Sequence, residues 1–305
     1  MENKTRADNT EILKEEIDLK EIFSAIWQGK YLIVSLAASF SILAMIYSLS
    51  LPNIYQSKAL LSPVGEDNIN NTFQNYAGLA SLAGINISPQ GKDKNTLRAL
   101  EKVNSFSFFK ENILPKIFLP DLVAVDSWNA NENIIEYDDN LYNQNLDKWI
   151  AKSEIPSEQE SFKVFKEILN VTKDINTGFV TISVSHQSPI VSMEWTELVV
   201  KELNYFFRSK DKLEAEAAMI YLNNQIARTN FVEVKQAIAQ VLQQKTQQLA
   251  LIEVTDFYIF EYIDPPKVEE EKDEPSRSLI SVLGLILGTI FGISFVIFNY
   301  YRIKQ

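Results

Sequence analysis

Cysteine is absent from this 305-residue chain. That excludes disulfides, thiolate metal sites and a thiol nucleophile. Histidine is nearly absent: His186 stands alone, where a strand pattern meets a helix start. A catalytic triad or a histidine metal centre would need partners around it, so it reads as a polar residue at an element boundary. Ser183 and Ser185 beside it are ordinary strand composition. Positive charge is also short. The net charge of -11 argues against a nucleic-acid partner, which would want a basic patch. No G-x-x-x-x-G-K-[ST] loop occurs, and Gly29-Lys30 followed by Tyr31 does not make one. Asp138-Asp139 reads as a loop and Glu269-Glu270-Glu271 as a solvated linker. No catalytic residue, cofactor or metal is expected, and the chain reads as no enzyme.

All charge vanishes in two stretches. Tyr31 to Leu51 and Ser278 to Tyr301 carry none, and each is long enough to cross a bilayer as a helix of ~20 residues. The first starts late and lacks a small-x-small cleavage site, so it reads as an anchor and not as a cleaved signal. Gly284, Gly288 and Gly292 fall at i, i+4 and i+8 of the second. Ala37, Ser41 and Ala44 (with Ser48 beyond) repeat at spacings of four and three in the first. Small residues on one face let helices approach closely in lipid, so these six are the expected transmembrane packing positions. Lys20 and Lys30 precede the first span, and Arg302 and Lys304 follow the second; Arg277 stands on the opposite side. The positive-inside tendency then puts both termini in the cytoplasm and the long middle outside it.

The order along the chain follows. Residues 1–30 are a cytoplasmic tail ending in an amphipathic stretch, with Asp18 as N-cap and Leu19, Ile22, Phe23, Ile26 and Trp27 at helical spacing. Such a helix beside a span lies in the membrane interface. Residues 31–51 are the first transmembrane helix, 52–277 a large external domain, 278–301 the second transmembrane helix and 302–305 a short tail. Within the domain, Ile54 to Leu61 reads as a strand, Leu97 to Leu114 as a helix ended at Pro115, and Phe162 to Leu169 as a short helix. LNVTKD and FVTISVSH around Asn176-Thr177-Gly178 give a hairpin.

Ser188-Pro189 opens a helix, and no glycine or proline follows from Ile190 to Ile263. Val199, Leu203, Phe206, Leu213, Ala217 and Ile220 form a heptad-like stripe, continued by Phe231, Val234, Ile238 and Val241; that period means packing along another helix. Unbroken, this rod would be ~100 Å long. The aromatic, β-branched run Phe257 to Asp264 reads as a strand that returns to the others. A return requires the helical extension, residues 189–256, to reverse, and Thr229-Asn230 is the expected turn. Pro265 and Pro266 end the last strand, and with Pro275 they frame the linker that returns to the membrane. The fold class is therefore α+β: two transmembrane helices flanking a domain with a mixed α/β base and a long helical hairpin.

Several of these segments together resemble the Wzz-type polysaccharide chain-length determinants, or polysaccharide co-polymerases. IDLKEIFSAIWQGKYLI resembles the family's approach to its first span, and LASLAGI (Leu79 to Ile85) its loop beyond the first strand. TGFVTISVSHQSP resembles the strand leading into its long helix, and YIDPPKVEEEKDEPSRSLI its return to the membrane, although the 267–274 segment is acidic where the family has further prolines. The resemblance implies an inner-membrane homo-oligomer with both termini cytoplasmic, a periplasmic central domain and a membrane-proximal α/β base. It implies a non-enzymatic role in lipopolysaccharide biosynthesis: setting O-antigen or related glycan chain length, with a glycan polymerase and a lipid-linked polysaccharide as partners. Four residues after the second span and no phosphate loop imply the type without a kinase domain. A component of a polysaccharide export assembly is the alternative with the same architecture. A two-span sensor would need a cytoplasmic output module, which neither end resembles.

Overall fold

The computed structural model describes residues 19–64, 91–150, 155–254 and 257–304. The expected loose tail, the N-cap at Asp18, and the Leu79 to Ile85 segment lie outside the described residues. Two compact units are formed, one by residues 1–52 with 275–305, the other by 53–274.

The first unit is helical. Helix α1 (Leu19–Gln28) leads through Gly29 into α2 (Lys30–Ser50), and α8 (Arg277–Lys304) closes the unit. Both α2 and α8 are long and apolar enough to cross a membrane. Phe23 and Trp27 of α1 stack at 6.4 Å and stay exposed, while Ala25 is buried. The Lys30 ammonium lies 4.8 Å from the Trp27 ring centre.

The second unit contains, in order, β1 (Tyr55–Pro63), α3 (Gly91–Val103), α4 (Leu119–Val123), β2 (Val125–Asn129), β3 (Ile134–Tyr137), β4 (Tyr142–Asn143) and β5 (Lys148–Trp149). Then come α5 (Glu158–Ile168), β6 (Leu169–Lys173), β7 (Val180–His186), α6 (Pro189–Arg228), α7 (Val232–Val254) and β8 (Phe260–Asp264). The main sheet runs β6-β7-β1-β8, all pairs antiparallel. The first and last strands of the unit are thus neighbours. β8 pairs with β1 alone, so β1 separates it from β7.

Local chemistry accounts for most boundaries. Gly178 takes φ +75° in the β6–β7 turn, which favours glycine. Asp174 fixes the same turn by accepting from the Asn176 and Thr177 amides at 2.7 and 3.3 Å, and these bonds hold its carboxyl below the usual range. Ser157 and Glu160 form a reciprocal capping box on α5. Ser188 caps α6 with Pro189 in its first turn. The helix expected over 97–114 breaks at Asn104-Ser105, because the Ser105 side chain accepts from the Phe108 amide and starts a new helical turn. A π-turn (Phe109–Ile113) and a 3₁₀ turn containing Pro115 follow.

The core lies between the sheet and the start of α6. Ala59, Leu61, Val180, Ile182 and Val184 of the sheet meet Val199, Val200 and Leu203, with Phe108, Phe109 and Phe165 packed beside them. Two helix hydroxyls reach into the sheet. Ser57 opposes Val184 across the β1–β7 ladder. The Ser192 hydroxyl accepts from the Ser57 amide and donates to the Val184 carbonyl, both at 2.7 Å. Thr196 Oγ1 accepts from the Val184 amide at 3.2 Å. Both side chains are fully buried, so α6 is joined to two strands by polar bonds as well as by packing.

The helical extension does reverse. α6 ends at Arg228 and α7 starts at Val232. The two run back along each other, with Lys212 ion-paired to Glu253 and the Tyr258 hydroxyl donating to Asp211 at 2.7 Å. At 1.5 Å per residue, α6 is ~60 Å long and α7 ~35 Å.

Candidate functional site

The helix pair of the first unit places the six small residues as follows. A Cβ added to Gly284 would sit 2.5 Å from Ala44 Cβ, and one on Gly288 2.8 Å from Ala37 Cα. One on Gly292 would sit 3.0 Å from Ile33 Cα. The Ser41 hydroxyl donates to the Ser281 carbonyl at 3.2 Å. The glycine face is thus filled within one chain, by α2 of the same molecule. Sequence reading missed Gly29, where an added Cβ would lie 2.6 Å from Val296 Cγ1.

In the second unit, the strand expected from Phe257 begins only at Phe260. The segment before it is held by Asn204, a residue sequence reading did not single out. Its Oδ1 accepts from three successive amides, Tyr258 at 3.1 Å, Ile259 at 2.8 Å and Phe260 at 3.0 Å. Its Nδ2 donates to the Phe260 carbonyl at 3.0 Å. Amides spent on one oxygen are not available to a ladder. The only cue in sequence is an asparagine inside a long helix, where it is a poor helix former.

Beyond β8, Pro265 and Pro266 carry no amide hydrogen and end the β1–β8 ladder. The chain nevertheless stays beside β1. The Ser57 hydroxyl donates to the Lys267 carbonyl at 2.7 Å. Further on, the Ile54 amide donates to the Glu274 carbonyl at 2.9 Å, and the Asp273 amide to the Ile54 carbonyl at 2.8 Å. Pro275 follows immediately, so the acidic 267–274 segment is tied at both ends.

His186 is buried. Its Nδ1 accepts from the Ser188 amide at 2.9 Å, its Nε2 lies 2.8 Å from the Asp121 carbonyl, and its ring meets Trp195 in a tilted contact at 5.3 Å. Nδ1 as acceptor assigns the proton to Nε2. Burial lowers its pKa. Asp121 is pushed up by burial, and accepts from the Tyr137 hydroxyl at 2.6 Å. The surrounding lobe is aromatic: Phe118, Tyr137, Tyr142 and Trp149 meet edge to face. The Tyr142 hydroxyl donates to Asp147, which pushes its pKa up to about 12. Asp138 spends a carboxylate oxygen on the Asn140 amide at 2.8 Å. Among the described residues no group of His, Asp and Glu could hold a metal ion.

Half of the heptad stripe is core and half is surface. Val199 and Leu203 are fully buried on the sheet, but Leu213 and Ile220 are 66% and 65% exposed, and Phe231 at the tip 71%. The extension therefore presents apolar side chains that its own hairpin does not cover.

The architecture defines a class: two apolar helices that flank, in sequence, a large mixed α/β unit with a helical extension, and no recognisable reaction centre among the described residues. Residues 15–114 match the Wzz family model, described as chain length determinant protein. No curated protein matches the chain. Among solved structures, a full-length bacterial polysaccharide co-polymerase aligns with 94% of this chain and 99% of its own at 12% identity, with a TM-score of 0.40. A fragment of WzzB, a polysaccharide co-polymerase from Salmonella Typhimurium, aligns with 73% of this chain and all of its own at 11% identity, with a TM-score of 0.32.

Proposed function

We propose that this chain regulates the chain length of a polysaccharide, O-antigen or a related lipopolysaccharide glycan, without catalysing a reaction itself. The Wzz match over residues 15–114 carries this reading. In it, α2 and α8 cross the inner membrane, the termini are cytoplasmic and the second unit is periplasmic. Gly284, Gly288 and Gly292 against Ala37, Ser41 and Ala44 act as the packing face of the membrane pair, and Pro265, Pro266 and Pro275 shape the return to it. Copies of the chain assemble through the extension, where Leu213, Ile220 and Phe231 are exposed, and the assembly acts as a scaffold beside the glycan polymerase. Exposed apolar patches of this kind favour association. The test is deletion of the gene followed by gel analysis of the surface polysaccharide. An altered length distribution is expected, restored by the intact gene. Normal lengths with lost surface glycan would replace this reading by a role in export, and an unchanged gel would refute both.

A further inference from the structure

An open surface depression of about 600 Å³ lies between α3 and α6. Phe206 is among its lining residues, held edge to face by Phe108 at 6.3 Å. Its walls carry three cations, Arg98, Lys102 and Lys210, against one carboxylate, Glu101. This excess stands out in a chain of net charge -11. Lys210 has a carboxylate neighbour, Glu214, at 3.8 Å. Lys102 instead lies over the Phe206 ring at 4.4 Å and donates to the Ser107 hydroxyl at 2.9 Å. Arg98 and Lys102 are four apart on α3, with Glu101 between them in sequence; three cations against one carboxylate leave the lining net positive, and an anion would offset that excess. Hydroxyls and an excess of cations in one depression suit a ligand with hydroxyl groups and a negative charge.

We propose that this depression binds an anionic sugar unit, one carrying a carboxylate or a phosphate. The choice of a sugar rests on the chain-length reading above; the choice of an anion rests on Arg98, Lys102 and Lys210. A carboxylate would belong to an acidic residue within the glycan, and a phosphate to its lipid-linked end. Charge-assisted bonds from Arg98, Lys102 and Lys210 hold the anion.

The test is calorimetric titration of the full-length protein in detergent with a galacturonate oligomer, glucose 1-phosphate and maltotriose. At least one anion is expected to bind, with maltotriose at least tenfold weaker and with affinity falling as salt rises. Whichever anion binds identifies the source of the charge. The double variant Arg98→Gln/Lys102→Gln, on a solvent-facing stretch of α3, is expected to weaken anion binding at least tenfold. Binding of neither anion, equal binding of maltotriose, or an unaffected variant overturns the proposal. So does a variant that changes oligomer size but not binding, which makes the depression a subunit contact. The deletion gel separates this from the reading beneath it. An altered length distribution without anion binding overturns the anion site alone, and charge-dependent binding with an unchanged gel overturns the chain-length role alone.

Discussion

Replacing Asn204 by alanine tests whether one carboxamide holds the returning chain to α6. The substitution removes the acceptor of three amides and the donor to the Phe260 carbonyl. Tyr258 is partly buried, but Ile259 is 8% and Phe260 0% exposed. Two buried amides left unsatisfied at ~1–3 kcal/mol each give a loss of about 2–6 kcal/mol. For a unit of this size, ~2–4 °C per kcal/mol converts the lower half of that range to roughly 5–15 °C in melting temperature. The measurement is thermal and urea unfolding of the detergent-solubilised protein, with hydrogen exchange over residues 257–264. Exchange there should rise before global unfolding. Asn204→Asp sharpens the test. It keeps the oxygen that accepts the three amides and loses only the donor to the Phe260 carbonyl, so it should retain more stability than the alanine variant at pH 7. A loss below about 1 kcal/mol in the alanine variant, with residues 259 and 260 still protected, would refute the clamp.

Three other outcomes are expected. Gly288→Leu puts side-chain atoms where a bare Cβ already lies 2.8 Å from Ala37 Cα and Phe40 Cβ; it should separate α2 from α8, read as loss of a cysteine crosslink engineered between them. His186 has a lowered pKa in the folded chain through burial, so its contribution is present above the ordinary value of ~6.5 and falls as pH drops below it, by up to ~1.4 kcal/mol per unit. Unfolding midpoints between about pH 7.5 and 5.5 should show that slope in wild type and a shallower one in His186→Gln. Lys116→Met leaves Glu202, buried and 2.5 Å from the Lys116 ammonium, without its ion pair. That should destabilise the protein by ~1–3 kcal/mol, measured by urea unfolding, and Lys116→Met/Glu202→Leu should recover part of it.

How much of this was legible in the sequence depends on how local the cause is. The apolar helices, the Gly178 turn, the Ser188-Pro189 helix start and the stop at Pro265-Pro266 are written in adjacent residues, and the structure has all of them. The reversal at Thr229 to Phe231 had no glycine or proline to mark it; it was readable only because the last strand had to return. Features set by partners far along the chain were not readable. Asn204 acts on residues 54 to 56 positions away, and Ser192 and Thr196 act on Ser57, 135 and 139 positions away. Their residue types give no signal, because serine, threonine and asparagine in a helix usually serve nothing beyond it.

The same distinction explains why the heptad stripe was half misread. Its spacing is uniform from Val199 to Ile220, but its surroundings change along it. The first turns of α6 lie on the sheet, so Val199 and Leu203 are consumed by strands and not by a helix. Past Phe207 the sheet ends, and the stripe continues with the same period into exposed positions at Leu213 and Ile220. Period reports which side of a helix is apolar; it does not report what covers that side. Within this chain α7 cannot supply the cover, since Val234 and Val241 are themselves 44% and 40% exposed. Substituting Leu213 and Ile220 by glutamine should therefore leave the stability of the single chain nearly unchanged, within ~0.5 kcal/mol, and reduce the size of any assembly seen by light scattering. A large loss of monomer stability would mean that these side chains are buried in the chain's own fold, and association through the extension would lose its support with it.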